Sequence, residues 1–416
     1  MSRGSGIGAC LIVVVLAALA ASARAEAPLP RSFDELADAA VDTRHHYRLE
    51  VLPPIWIVPG RGLPPDLDLG PSNNNVALAY HGGRLFLAWR SSQTHFASRD
   101  SRIHVISTSP PGGAWRRETT IALQRDVREP FLLSVGPRFF LYFAELGAEA
   151  HSFEPEALWR MERLADGRWS EKERWGGRQE VAWDFKVRRG RVWMTSYRGD
   201  RYRASRPNVE LRFRWSADGI TWQDPPAPGA TVYRGGVSEA AFEFDDAGKL
   251  WAVTRNEDGD ASGYGSHLVT APADRPWEWR FPERSSPRRY DSPRLFRHGR
   301  DLYLIARRDP QADFDDGCAY CPGPMRRLAL LARYSMRPKK TTVYRVDTER
   351  QRLIPLVDLP SAGDTAFPSI VRLGPDALLV ANYTSPLDME NAPWLAGQIS
   401  PRGTAIYISL LRFVKD

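Results

Sequence analysis

The sequence predicts an all-β protein, a six-bladed β-propeller of four-stranded antiparallel blades. Three observations predict it. Paired strand-like runs recur at a pitch near 50 residues, a glycine turn splits each pair, and a tryptophan recurs at a fixed offset. Of the 416 residues, 43% are apolar, 26% charged and 11% aromatic, with 32 Gly and 33 Pro spread along the chain. Such a composition supports a large core and excludes wholesale disorder and collagen-like structure.

The first unit pairs residues 76–80 with 85–89 across Gly83, and the second pairs 131–135 with 139–143 across Gly136. Residues 182–187 pair with 192–196, and 240–244 with 250–254. The last two units pair 294–297 with 302–306 and 367–373 with 377–382. The turn glycines Gly83, Gly136, Gly190, Gly248, Gly299 and Gly374 step by 53, 54, 58, 51 and 75 residues. Trp115, Trp169, Trp222 and Trp279 step by 54, 53 and 57. Two landmarks at one offset in four units argue for a structural repeat, and about four short strands per repeat fit a propeller blade. A ring of six blades leaves no long exposed edge. A pair of β-sandwiches, the alternative, does not predict six equal units. Residues 405–414 are expected to give blade six its third strand, and residues 51–58 its outermost one.

The chain begins as a secretory signal does. Arg3 supplies the positive end, residues 11–21 the apolar stretch, and Ala23-Arg24-Ala25 a small-x-small cleavage site. The stretch is too short to span a bilayer, so no stable membrane insertion is expected after cleavage. Cys10 precedes the apolar stretch, which disfavours lipid attachment. The organisation read from sequence is a signal peptide over 1–25, an N-terminal segment over 26–70 closing the last blade, and the propeller over 71–416. The expected location is secreted or periplasmic, and a monomer is expected. Cleavage leaves 55 basic against 50 acidic residues, mostly scattered arginine. Without Lys/Arg clusters and interleaved aromatics, nucleic-acid binding is not expected. Cys318 and Cys321, in Asp-Gly-Cys-Ala-Tyr-Cys-Pro-Gly, read as a local disulfide of an exported protein, because no second CxxC or spaced His pair completes a zinc site. The eight histidines, His45, His46, His95 and His104 among them, lack ligand spacing, so neither a metal nor a cofactor is expected.

One turn carries a family signature. Ser216-Ala-Asp-Gly-Ile-Thr-Trp222 resembles the Asp-box of sialidase-type propellers, with degenerate versions at Asp166-Gly-Arg-Trp169 and at residues 273–279. The Asp218 carboxylate can accept backbone N–H bonds in the tight turn, Gly219 permits positive φ, and Trp222 packs between sheets. This motif is architectural, so Asp218 is not a catalytic residue.

The resemblance to sialidases extends to the site. The segment Ser238-Glu239 followed by Thr254-Arg255-Asn-Glu257 looks like the family's fourth-blade region, which implies Glu239 as a catalytic carboxylate and Arg255 as a substrate-binding arginine. Residues 96–106 resemble the loop carrying the family's general acid, which implies that role for Asp100. Two departures stand beside these matches. Asn74 occupies the place of the first carboxylate-binding arginine, and Phe367 that of the tyrosine nucleophile. Arg294 is a loose match to the third arginine.

In a propeller the inner strands converge on one axis, so polar residues at strand ends are the ones to examine there. Asn74, Arg90, Asp184 and Arg294 join Arg255 as expected substrate contacts, with Glu129 and Glu145 as further carboxylates. Two carboxylates in one pocket can divide acid and base work, and arginine forks suit acidic groups. The leading expectation is a secreted, sialidase-like glycoside hydrolase acting on an acidic or unusual sugar, with Asp100 as acid and Glu239 as base or nucleophile. The alternatives are a non-catalytic carbohydrate-binding propeller and a polysaccharide lyase, the latter built on His267 and Tyr264.

Overall fold

The computed structural model describes residues 32–109, 113–150, 154–199, 207–227, 229–311 and 320–415. The signal-peptide expectation and Cys318 lie outside them. Six antiparallel sheets follow one another along the chain and close into a ring. Blade one comprises Ser72–His81, Arg84–Ser92, Arg102–Thr108 and Arg116–Ile121; blade two comprises Asp126–Val135, Arg138–Leu146, Pro155–Glu162 and Glu173–Trp175. Blade three is Glu180–Arg188, Arg191–Arg198, Val209–Ser216 and Trp222–Gln223, with Thr231–Gly235 also on its third strand. Blade four keeps three strands, Val237–Phe244, Leu250–Asn256 and Leu268–Ala271. Blade five comprises Asp291–His298, Asp301–Arg308, Lys340–Asp347 and Arg352–Leu359.

Blade six closes the ring with both ends of the chain. Ser369–Gly374 and Ala377–Thr384 are followed by Ala405–Lys415, and Tyr47–Val51 pairs on the outside from Tyr47↔Lys415 to Val51↔Leu411. Ile55–Val58 pairs with the same C-terminal strand at Ile408 to Ile406. The single outer strand expected from sequence is thus two short ones. Pro53 and Pro54 separate them, and a proline has no N–H to donate to the ladder.

The core lies between blades rather than in one layer. Second strands such as Leu85–Trp89 and Phe139–Ala144 are buried on both faces, so they read as continuous apolar runs rather than as alternation. The Asp218 turn packs between blades two and three. Asp218 Oδ1 accepts from the N–H groups of Ile220 and Thr221, each at 2.8 Å, and Trp222 stacks on Trp175 at 5.7 Å between ring centroids. Gly219 has φ +75°, and a Cβ there would meet Val135 and Phe140 at 3.3 and 3.4 Å. Glycine is required both by the backbone and by the packing.

A short helix, α1 (Phe33–Ala39), seals one end of the ring. Ser32 and Glu35 form a reciprocal capping box at its start. Asp38 pairs with Arg297 and Arg372, and Glu35 accepts from the Arg189 N–H, so the helix touches hairpin turns of blades three, five and six.

Candidate functional site

At the other end of the ring the inner strands of blades one to five each carry a local irregularity. The ladder is interrupted between Asn74 and Ala77, Arg128 and Phe131, Ala182 and Asp184, Val237 and Ala240, and Asp291 and Arg294. Asn75, Glu129, Ser292 and Ala366 sit there with φ of 50, 55, 49 and 68°. Bulges re-aim side chains, and residues of adjacent blades meet as a result. Asn75 Nδ2 donates to Glu129 Oε2 at 3.2 Å across blades one and two, and the Ser292 N–H donates to Glu239 Oε2 at 2.9 Å across blades four and five.

Around Glu239 the structure assembles an ion cluster. Arg255 Nη1 donates to Glu239 Oε1 at 2.5 Å, Arg255 Nη2 pairs with Glu257 at 2.8 Å, and Arg255 Nε lies 3.3 Å from Asp291 Oδ2. Glu239, Glu257 and Asp291 are all buried. Burial pushes the Glu239 carboxyl above the usual range, against Arg255, and the Glu257 and Asp291 charges push it further. Asp291 has the opposite outcome. Burial raises it too, but Arg289, Arg255 and Arg307 outweigh that and hold it below the usual range.

The sequence reading missed the residues that cover this cluster. Helix α2 (Gly323–Ser335), in the insertion of blade five, brings in Tyr334, whose hydroxyl accepts from Arg307 Nε at 2.9 Å and whose ring lies under Arg289 at 4.5 Å. Helix α3 (Trp394–Ile399), in the insertion of blade six, brings in Trp394, which packs edge-on to Tyr334 and lies 4.4 Å from the Arg307 guanidinium. Beside them Asp364 accepts three side-chain bonds, from Tyr383 OH at 3.1 Å, Trp394 Nε1 at 3.0 Å and His95 Nδ1 at 2.8 Å. Both insertions lie outside the repeat, so the period could not announce them. The long step from Gly299 to Gly374 was the trace of the blade-five insertion, while the blade-six insertion follows Gly374 and lengthened no step.

Of the residues expected from sequence, Glu239 and Arg255 meet, and Arg294 joins the same axis. Arg294 donates to the carbonyls of Pro368 and Trp183 and lies 3.9 Å from Asp184. Phe367 reaches the axis and packs edge-on against Trp183 at 4.8 Å. Asp184 is buried, accepts from the Phe242 N–H and lies 3.4 Å from Lys186 Nζ as an ion pair, so it ties blades three and four together.

Three expectations are corrected. Asp100 is not brought into the Glu239 cluster; it sits on the exposed loop after Ser92, where its N–H donates to Ser98 Oγ. Arg90 is wholly buried between blades, bound to Asp126 at 2.7 Å and to the carbonyls of Thr94 and Phe96. Asn74 is likewise wholly buried, donating to Ser72 Oγ, and its neighbour Asn75 takes the axial position. A bulge follows Asn74 and a loop carries Asp100, whereas Arg90 lies on a regular strand and is held by Asp126.

Arg255 changes role as well, since its three donor nitrogens face three carboxylates rather than a ligand. Glu145 is held by Arg125 and Trp159 within blade two. His267 has both ring nitrogens engaged, by Thr254 and Ser262, and Tyr264 lies under Arg326, so the lyase base expected on that loop is not formed there. Cys321 is disulfide-bonded. Among the described residues no cluster of His, Cys, Asp or Glu has a metal-holding arrangement, and no helix is long and apolar enough to cross a membrane. A cleft of about 350 Å³ lined by Trp56, Asn73, Ser385 and Arg402 lies between blades six and one and includes none of the cluster.

Against solved structures, the chain superposes on a protein of unknown function from Dyadobacter fermentans with TM-score 0.57 and 13% identity, over 88% of this chain and 99% of that one. It superposes on the phage phi92 endosialidase with TM-score 0.54 and 10% identity, over 90% and 70%. The likeness is one of fold, a six-bladed propeller. A Trypanosoma rangeli sialidase in complex with the inhibitor DANA gives TM-score 0.51 and 12% identity, over 83% of this chain and 55% of that one, so the chain spans about half that sialidase's length. No protein-family model matches the chain, and no curated protein matches it. At these identities the sialidase-type propeller is shared as architecture, and chemistry has to be argued from the residues.

Proposed function

We propose that this propeller is a glycoside hydrolase acting on an acidic sugar, with Glu239 as its proton donor. The observation that carries the reading is the divergence of two neighbouring carboxyls. Glu239 is raised and Asp291 is lowered, although one guanidinium touches both. A carboxyl whose pKa is raised beside one that is lowered is the better placed of the two to carry a proton and give it to a glycosidic oxygen. Preference for an acidic sugar follows from the arginines. Among the described residues, Arg128 Nη1, Arg294 Nη2 and Arg307 Nη2 make no hydrogen bond, while the other nitrogens of these side chains are fixed by protein partners. Fixed guanidiniums with one donor edge left suit a carboxylate. The glycan-acting neighbours agree with a sugar substrate, and the N-terminal sequence supports work outside the cytoplasm.

The test is Glu239→Gln, assayed by reducing-end release on sialosides, uronides and neutral glycans. Turnover should fall by about 10²–10⁴-fold with the fold intact. Full activity in the variant would refute the assignment. A carbohydrate-binding propeller without catalysis is the second reading, favoured by the placement of Asp100 and by Phe367, which has no nucleophilic oxygen. Sugar binding with no turnover in the unmodified protein would select it.

A further inference from the structure

The proton donor leaves open what activates the attacking water, and the loop that was expected to carry Asp100 offers a different group. His95 lies five residues before Asp100. Its Nδ1 is 2.8 Å from Asp364 Oδ2. Asp364 is completely buried and its carboxylate can only accept, so Nδ1 carries the hydrogen and Nε2 presents a lone pair. Among the described residues Nε2 has no hydrogen-bond partner, and the side chain is 16% exposed. The backbone is fixed as well. The His95 N–H donates to the Gln398 carbonyl, and the His95 carbonyl accepts from Arg128 Nη2.

We propose that His95 is the general base of the axial site. The inference rests on the hydrolase reading above. His95 reaches the mouth from blade one and leans on blade six, whereas Glu239 stands on blade four, opposite blade one in a ring of six. Acid and base on opposite walls fit an inverting displacement, in which the two groups stand about 6.5–9.5 Å apart to admit a water. In the step, the water oxygen bonds to the anomeric carbon as the glycosidic C–O bond breaks. The Glu239 proton passes to the leaving oxygen and His95 Nε2 takes the proton released by the water. The imidazolium then loses that proton to solvent and Glu239 regains one.

The charged and titratable groups facing His95 are Asp364 and Tyr383 of the blade-six side, Arg128 on blade two and Arg90 on its own blade. Burial lowers its pKa from the usual value, Asp364 opposes that, and the two arginines add to the lowering. A neutral base at pH 7 is the consequence.

Two measurements test the proposal. With ¹⁵N-labelled histidine, the signal lost in His95→Gln should show a neutral ring at pH 7 protonated on Nδ1. A charged ring, or a hydrogen on Nε2, overturns the inference whatever the substrate proves to be. In kinetics on 2,4-dinitrophenyl and 4-methylumbelliferyl sialosides and uronides, His95→Gln should lower kcat about 10²–10⁴-fold with KM unchanged. Azide should restore turnover, giving a glycosyl azide of inverted configuration. Asp364→Asn, a positioning change, should move the acid limb of the pH–rate profile. Unchanged kcat in His95→Gln, or an unsaturated product, sinks the role. The two readings fail separately, because Glu239→Gln should spare dinitrophenyl substrates, whose leaving group needs no acid, whereas His95→Gln should not.

Discussion

Replacing Arg255 by methionine separates the role read from sequence from the role found in the fold. A ligand clamp would weaken binding and leave stability nearly untouched. In the fold, Arg255 is instead the shared counter-charge of Glu239, Glu257 and Asp291. Methionine keeps the apolar stem, so the cavity contribution is small. Removing one partner from a buried ion pair costs about 3–5 kcal/mol, and three acids around one cation place this case toward the upper end. Unfolding entropy of about 2.1 cal/mol/K per residue gives roughly 0.8 kcal/mol/K over roughly 380 residues, so Tm should fall by about 4–6 °C.

The pH dependence has a defined sign. Asp291 is held below its unfolded value, so its contribution is present above that value and lost as pH falls through the folded one. Without Arg255 this loss begins at higher pH. The gap between the two proteins should therefore be widest near neutrality, narrow as the pH falls toward the ordinary carboxylate range, and close only below it. Urea unfolding followed by tryptophan fluorescence at pH 7 and pH 5, with equal m-values, measures it. An unchanged midpoint at pH 7 would refute the counter-charge role and return Arg255 to the ligand.

Other outcomes follow from the same contacts. Asp218→Ala should cost about 2 kcal/mol by stranding the turn N–H groups; since those bonds hold Asp218 below its usual pKa against burial, the deficit should be full at pH 7 and shrink as pH falls below the ordinary carboxylate value, as thermal scans at pH 7 and 3 would show. Tyr334→Phe removes the acceptor of Arg307 Nε and should lower stability by about 2 kcal/mol in urea titration; no change would mean the helix does not hold the site. Asp100→Asn should leave turnover within about threefold, because the carboxylate is exposed and outside the cluster; a loss comparable to Glu239→Gln would restore it as the acid.

What the sequence determined by itself was the local and the periodic. Glycine turns, apolar runs and the Asp218 turn depend on neighbours along the chain, so their pitch disclosed six blades, and Glu239 and Arg255 were legible because both lie on the paired inner strands of one blade, although Glu239 sits in the irregular stretch of its strand. The tertiary structure alone decided which faces they met. Bulges in the inner strands turned Asn75 to the axis and Asn74 away from it, a change of one residue that no pattern registers. Tyr334, Trp394 and His95 belong to insertions and a loop with no repeat to index them, and they reach the axis because the ring closes over a distance of many residues. Arg255 shows the same limit in its chemistry: its position was readable, but its partners Glu239, Glu257 and Asp291 come from two blades, and only their packing made it a counter-charge.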